Sequence, residues 1–291
     1  MIDFLLDPLA YSFMQRALLA SVLVGGLCAT VGCYVVLRGM AFLGDALAHA
    51  ILPGIAIAFL LGGDLFAAAL TTAILVALGI GYLSRSGRLR EDAAIGVIFS
   101  GAFALGVALI SSAPSYQTDL THILFGNVLG VTDRDLLLVF GFGIAILVVI
   151  LGLYKELLAF TFDPTFASSI KLPVGKLRYL FMVVLAVTVV VSLRTVGVGL
   201  VAAMLVTPAA AASLLTRRLP RMMVVSALIG VASSAVGLYA SYYGDLSAGA
   251  SIVLTCTVFF LLALVFGPRH GMLARLRSER RSGWPQPKSQ I

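Results

Sequence analysis

The sequence predicts an all-α protein, a bundle of about eight or nine membrane-spanning helices. Apolar residues make up 60% of the chain and charged residues only 11%, whereas a soluble domain carries about 25% charged residues. The apolar residues fall in runs of about 20, the length that a helix needs to cross a membrane. Composition and pattern therefore exclude a sizeable soluble domain. The net charge of +7 does not indicate nucleic-acid binding, because most basic residues lie in the gaps between apolar runs.

Nine apolar runs are candidate spans: 12–37, 40–61, 64–83, 93–112, 135–154, 177–194, 196–216, 222–243 and 248–267. The stretch before them is short and mixed, and Pro8 breaks it, so we expect an interfacial segment there. Merging or halving one weak run would reduce the count to eight.

The basic residues orient these spans. Sixteen of the 20 Lys and Arg residues lie in four clusters between or after the runs, around positions 85–90, 155–178, 217–221 and 269–288. Two spans separate each cluster from the next, so all of them can face the cytoplasm, as the positive-inside rule requires. We therefore expect an outer amino terminus, a transmembrane domain over 1–272 and a cytoplasmic, disordered basic tail over 273–291.

The second span carries an unusual polar pair, Asp45 and His49. They are four residues apart and share one face of a helix. If that helix starts near Arg38, His49 lies about 16 Å into a core of about 30 Å, close to its middle. An unpaired Asp there costs about 2.5–3.5 kcal/mol, which favours a functional role over a purely structural hydrogen-bonded pair.

Carboxylate plus imidazole suits divalent manganese, iron or zinc. Two ligands are too few for a tight site. A homodimer with the pair facing its axis would supply four.

A short helix is predicted at about 163–171, between two spans on the cytoplasmic side. Asp163 is a suitable N-cap and Pro164 a suitable first helical residue, and the aromatic Phe162 and Phe166 lie on either side of this start. A helix of two turns is not stable alone. It is either an ordinary interfacial loop helix or a docking helix for a cytoplasmic partner.

Weaker signals lie elsewhere in the chain. Thr207 and Pro208 predict a helix break that lines a pathway, although a proline kink is equally common as a packing device. Asp119 and His122, three apart in an outer loop, are candidates for an outer gate or ordinary solvated residues. The three cysteines lie in apolar runs without metal-ligand spacing, and no phosphate-binding loop of the G-x-x-x-x-G-K-[ST] type is present.

Taken together, these stretches resemble the family-3 metal-ion permeases of ABC importers, which serve zinc, manganese and ferrous iron uptake in bacteria. The matching segments cover nearly the whole chain in order: 15–18, 34–38, 40–50, 124–127, 162–164, 196–197 and 208–210. The resemblance implies a multi-pass protein of the bacterial inner membrane, paired with a second permease copy, cytoplasmic ATP-binding subunits and an extracytoplasmic metal-binding protein.

By motif position, the resemblance assigns Asp45 and His49 to the transported metal, and Phe162, Asp163 and Pro164 to a coupling helix. It implies a transport subunit rather than an enzyme, with no permanently bound cofactor and with ATP on the partner. Manganese is slightly preferred over zinc or ferrous iron. Two alternatives stay open, namely a secondary cation transporter with an Asp/His proton relay and a siderophore or vitamin B12-type permease.

Overall fold

The computed structural model describes residues 7–85, 90–111 and 128–267, and within these ranges all regular structure is helical, as predicted. The α-helices in these ranges are α1 Ser12–Leu37, α2 Leu43–Ala50, α3 Leu52–Leu61, α4 Leu65–Arg85, α5 Glu91–Ser111, α6 Asp133–Gly152, α7 Tyr154–Phe162, α8 Pro164–Ser169, α9 Val174–Val196, α10 Val198–Leu215, α11 Leu219–Gly244 and α12 Ala248–Phe266. Short 3₁₀ turns at Pro8–Ala10 and Val128–Gly130 lie before α1 and α6.

Nine segments of the described chain are long and apolar enough to cross a membrane, with α2 and α3 together forming the second. Their ends differ from the predicted ones by less than one helical turn. The residues 112–127, which hold Asp119 and His122, and the tail after 267 lie outside the described ranges, so the predicted outer gate and cytoplasmic tail remain predictions.

The central helices of the bundle are buried, and the peripheral helices expose apolar side chains. Helices α1, α9 and the α2–α3 span are the most buried, and α1 packs against α6, α9, α10 and α11. Helices α5, α6 and α12 expose large apolar side chains such as Val97, Leu137 and Leu254. Exposed leucine and valine on this scale are costly in water but suit contact with lipid.

Small residues let the central helices approach each other closely. At Gly32 in α1, a Cβ atom would collide with the backbone carbonyl of Leu205 in α10, so only glycine fits there. Ser226 and Ser234 of α11 donate hydrogen bonds of 2.8 Å to carbonyl oxygens of α1. Close backbone approach and hydrogen bonds between helices are the ordinary means of association for helices in lipid.

Ion pairs lie at both ends of the bundle. We name these the Arg16 end, after a residue of α1, and the Arg38 end, after the residue that directly follows α1. At the Arg16 end, Arg16 pairs with Asp133 at 2.8 Å, and Arg194 pairs with Asp135 at 2.5 Å. At the Arg38 end, Arg38 pairs with Glu91 at 2.9 Å. The first two pairs fasten α6 to α1 and α9, and the third fastens α1 to α5.

Candidate functional site

The second span is two helices rather than the continuous helix predicted over 40–61. Helix α2 ends at Ala50, Ile51 forms a turn, and α3 begins with Pro53 in its first turn. Proline has no N–H to continue the hydrogen-bond ladder, so it is tolerated in the first turn of a helix but not in its interior. The break therefore comes at Ile51, two residues after His49 and two before Pro53.

The start of the span also differs from the prediction. Gly39 has φ +70°, a left-handed conformation that ends α1, and α2 begins only at Leu43. His49 consequently lies about 9 Å along α2. The prediction that one helix continues from Arg38 was therefore wrong, and the depth of His49 in the membrane stays a prediction.

Asp45 and His49 share one face of α2, as predicted. The His49 Nδ1 atom lies 3.0 Å from the backbone oxygen of Asp45 and 3.7 Å from its carboxylate oxygen Oδ1. In the tautomer that carries the proton on Nδ1, the ring donates to that carbonyl and leaves the Nε2 lone pair free. This is the usual arrangement of histidines that bind metals, because the second ring nitrogen fixes the orientation of the first.

Both side chains of the pair remain partly exposed. The exposed fraction is 38% for the Asp45 side chain and 31% for that of His49, whereas Leu43, Ala46, Leu47 and Ala50 on the other faces of α2 are buried against α5, α9 and α10. Among the described residues, the polar face of α2 is thus only partly covered.

Aromatic side chains of α5 pack beside the imidazole of His49. The ring centroids of Phe99 and Phe103 lie 6.2 and 6.1 Å from that of His49, both at steep angles. Phe42 packs edge-on against Phe99 at 5.9 Å. Sequence analysis missed these residues, since phenylalanines four apart on an apolar span look like ordinary lipid-facing or core positions.

In the described ranges, no group of three or more His, Cys, Asp or Glu side chains is placed to hold a metal ion. The described part of one chain therefore contributes a carboxylate and an imidazole and nothing further of that kind. Divalent transition metals take at least four ligands, more than these two side chains offer.

The helix break predicted at Thr207 and Pro208 is absent. Helix α10 is continuous from Val198 to Leu215, with Pro208 buried and Thr207 half-buried. Proline removes one backbone hydrogen bond but does not end a helix that neighbours hold in place. Helix α10 packs directly against both α1 and α2, so this tight contact keeps the helix intact.

The short helix predicted at 163–171 is present as α8, which is two residues shorter at its carboxyl end. The Asp163 carboxylate accepts hydrogen bonds of 2.9 Å from the backbone N–H groups of Thr165 and Phe166. The helix ends before Lys171, which has φ +61°. Phe162 and Phe166 are exposed by 61% and 56%.

A cleft of about 660 Å³ lies between α7, α8 and the connection from α10 to α11. Its lining is apolar with a basic edge, and comprises Tyr154, Lys155, Leu158, Ala159, Phe162, Asp163, Phe166, Arg217, Arg218, Leu219 and Pro220. An exposed short helix beside such a cleft is a suitable docking surface.

Comparison with known proteins identifies the family. The family model described as the ABC 3 transport family matches residues 10–267. The chain belongs to this family. It is 47% identical over 267 residues to the manganese transport system membrane protein MntC of Halalkalibacterium halodurans, covering 92% of this chain and 91% of that protein.

Other relatives of this ABC 3 family protein carry related names. The chelated iron transport system membrane protein YfeC of Yersinia pestis is 42% identical over 284 residues, covering 97% of this chain and 96% of that protein. The solved structure described as PsaBC from Streptococcus pneumoniae in complex with Fab contains a chain with a TM-score of 0.82 and 41% identity, covering 95% of this chain and all of that one.

The resemblance indicated by the sequence motifs is thereby confirmed. The protein is a membrane permease subunit of an ABC transporter, a transport component rather than an enzyme. Family membership implies a bacterial membrane, an ATP-binding subunit and a substrate-binding protein. Membership of an ABC transporter family also excludes the alternative of a secondary cation transporter.

Proposed function

We propose that this permease imports a divalent transition-metal ion, with manganese preferred over ferrous iron and zinc, and that Asp45 and His49 bind the ion in transit. The observation that carries the proposal is the paired geometry on α2, where the Asp45 carbonyl can orient the imidazole. One oxygen and one nitrogen donor suit all three metals. The manganese names of relatives such as MntC support the order of preference.

The complete site is formed by two copies of the chain. Each copy supplies two ligands, and the face of α2 that carries them stays partly exposed among the described residues of one chain. Two-fold symmetry places the same face of each copy opposite the other. Two carboxylates and two imidazoles then surround one ion, and water can complete six-coordination for manganese.

ATP binding and hydrolysis in partner subunits supply the energy. The ATP-binding subunit docks on the end of α7 and on α8 through the exposed Phe162 and Phe166, and the carboxyl terminus lies in the cytoplasm with the other basic clusters. The support is the cap at Asp163, which starts a short helix, the exposure of the two phenylalanines and the cleft beside them.

Metal binding by the purified permease tests the site. We expect Asp45→Ala and His49→Ala each to abolish most Mn²⁺ binding and uptake, while Asp133→Ala, which removes an exposed carboxylate at the Arg16 end, leaves both unchanged. Competition with Zn²⁺ and Fe²⁺ gives the order of preference. Mn²⁺ binding and uptake that survive both α2 substitutions would refute the site. Uptake of a metal chelate but not of the free ion would instead indicate a siderophore-type permease.

A further inference from the structure

Arg38 is a buried cation that the proposed transport site does not use. Its side chain is only 7% exposed, and its Nη2 atom donates to Glu91 Oε1 at 2.9 Å. The Nε and Nη1 atoms are buried and have no hydrogen-bond acceptor among the described residues. Burial lowers the pKa of the guanidinium, and the Glu91 carboxylate opposes that shift. Buried donors without partners are rare and call for an explanation.

The face of the guanidinium is covered by aromatic rings. Its Cζ atom lies 4.1 Å from the ring centroid of Phe160 and 5.9 Å from that of Phe181. Phe160 is fully buried on α7, three residues before the cap of α8. The Arg38 side chain is therefore in direct contact with the helix that leads into the docking helix.

Arg38 is also connected to α2 and α5, the two helices that form the candidate metal site. Gly39 follows it with φ +70°, and three residues further on Phe42 precedes α2. Its ion-pair partner Glu91 is the first residue of α5, two turns before Phe99 beside His49. Arg38 thus contacts or adjoins α7, α2 and α5, which are the docking element and the two elements of the site.

We propose that Arg38 couples the movement of α7 and α8 to the movement of α2 and α5, as a positioning residue for transport. This inference rests on the proposed function. The attraction acts while the cation lies over the ring face within about 6 Å of the centroid, so the 4.1 Å contact tolerates a small shift of α7. The Nε and Nη1 donors of Arg38 can form a second set of hydrogen bonds in the other transport state. Arg38 then has two alternative hydrogen-bonding arrangements, one for each state, as a two-state switch requires.

The test uses the permease with its ATP-binding subunit in vesicles, with Mn²⁺ uptake and ATP hydrolysis measured in parallel. Arg38→Met removes the charge, and Phe160→Leu keeps apolar bulk but removes the aromatic face. We expect uptake per ATP hydrolysed to fall by about tenfold in each variant, within the range typical of coupling between two sites. Binding of Mn²⁺ and of the ATP-binding subunit stays unchanged.

Arg194 offers a matched control at the Arg16 end. It too combines a carboxylate, Asp135 at 2.5 Å, with an aromatic ring, Phe66 at 5.3 Å from its Cζ atom. Arg194→Met should leave uptake per ATP unchanged. Equal losses in Arg194→Met, or normal ratios in both Arg38→Met and Phe160→Leu, would overturn the proposal. If Arg38→Met fails to fold, Phe160→Leu decides.

A second readout does not depend on the cargo. A fluorophore attached to Ala41→Cys, an exposed position just before α2, should change its emission when ATP and vanadate are added to the complex. That change should disappear in Phe160→Leu, and its persistence there would refute the coupling. A permease that fails to take up Mn²⁺ but shows this pattern would contradict the proposed cargo and leave the role of Arg38 supported.

Discussion

Replacing Asp163 by alanine isolates the contribution of one helix cap to subunit docking. Helix α8 has only six residues, and the first four residues of a helix have no acceptors within it. Pro164 has no N–H, and Ala167 donates to the Asp163 carbonyl at 2.9 Å. The Asp163 carboxylate accepts from the remaining two, Thr165 and Phe166. The cap therefore satisfies every remaining N–H of the first turn.

Losing such a cap costs typically about 1 kcal/mol and up to about 2. Because a helix of this length has little stability of its own, most of that loss lowers the population of the docking conformation. Apparent affinity falls in proportion to the competent fraction, so Asp163→Ala should weaken binding of the ATP-binding subunit by about fivefold and at most about 30-fold.

The assay is equilibrium binding of the ATP-binding subunit to the permease held in nanodiscs. Asp163→Asn is the matched variant, because asparagine caps as well as aspartate but carries no charge, and it should bind like the unchanged protein. Binding by Asp163→Ala at full strength would refute the capping argument. A loss of the same size in Asp163→Asn would show that the charge, rather than the cap, matters.

Three further outcomes are expected. Gly32→Ala should lower the melting temperature in detergent, because the added Cβ atom collides with the Leu205 carbonyl and such overpacking costs about 1–3 kcal/mol. The control Gly26→Ala should leave the melting temperature unchanged, because its Cβ atom would meet only a side-chain atom, at 3.6 Å. Phe99→Ala should weaken Mn²⁺ binding, because the imidazole of His49 loses the ring that packs beside it. Phe99→Leu should retain much of the affinity, and titration of each variant with Mn²⁺ measures the difference. Metal analysis of the purified permease should give one Mn²⁺ per two chains, and one per chain would contradict the shared site.

The parts that the sequence predicted well follow from local patterns. Apolar runs of about 20 residues give the nine spans, and the spacing of Asp45 and His49 places them on one face of a helix. Asp163 followed by Pro164 predicts the start of α8 in the same local way. Each of these features depends on residues only a few positions apart, and so neighbouring side chains suffice to reveal it.

The parts that the sequence missed depend on contacts between distant segments. The positive-inside rule treats Arg38 as a solvated loop residue, yet Phe160, more than a hundred positions away, covers it. Phe99 becomes part of the candidate site only because α5 packs beside α2. Pro208 predicts a break that packing against α1 and α2 prevents. None of these contacts leaves a periodic signal.

A site divided between two chains also gives the proposed importer a way to release its cargo. The 3.0 Å contact within α2 holds His49 relative to Asp45 in each copy, so the pair moves as a unit with its helix. In the proposed two-chain site, four ligands would meet at one point when the two copies approach, and each half would retain two when they separate. Because a pair of ligands is too few for tight binding, a rigid-body movement alone changes the affinity, and neither half of the site has to rearrange. The exposed position of the pair is what such a mechanism requires.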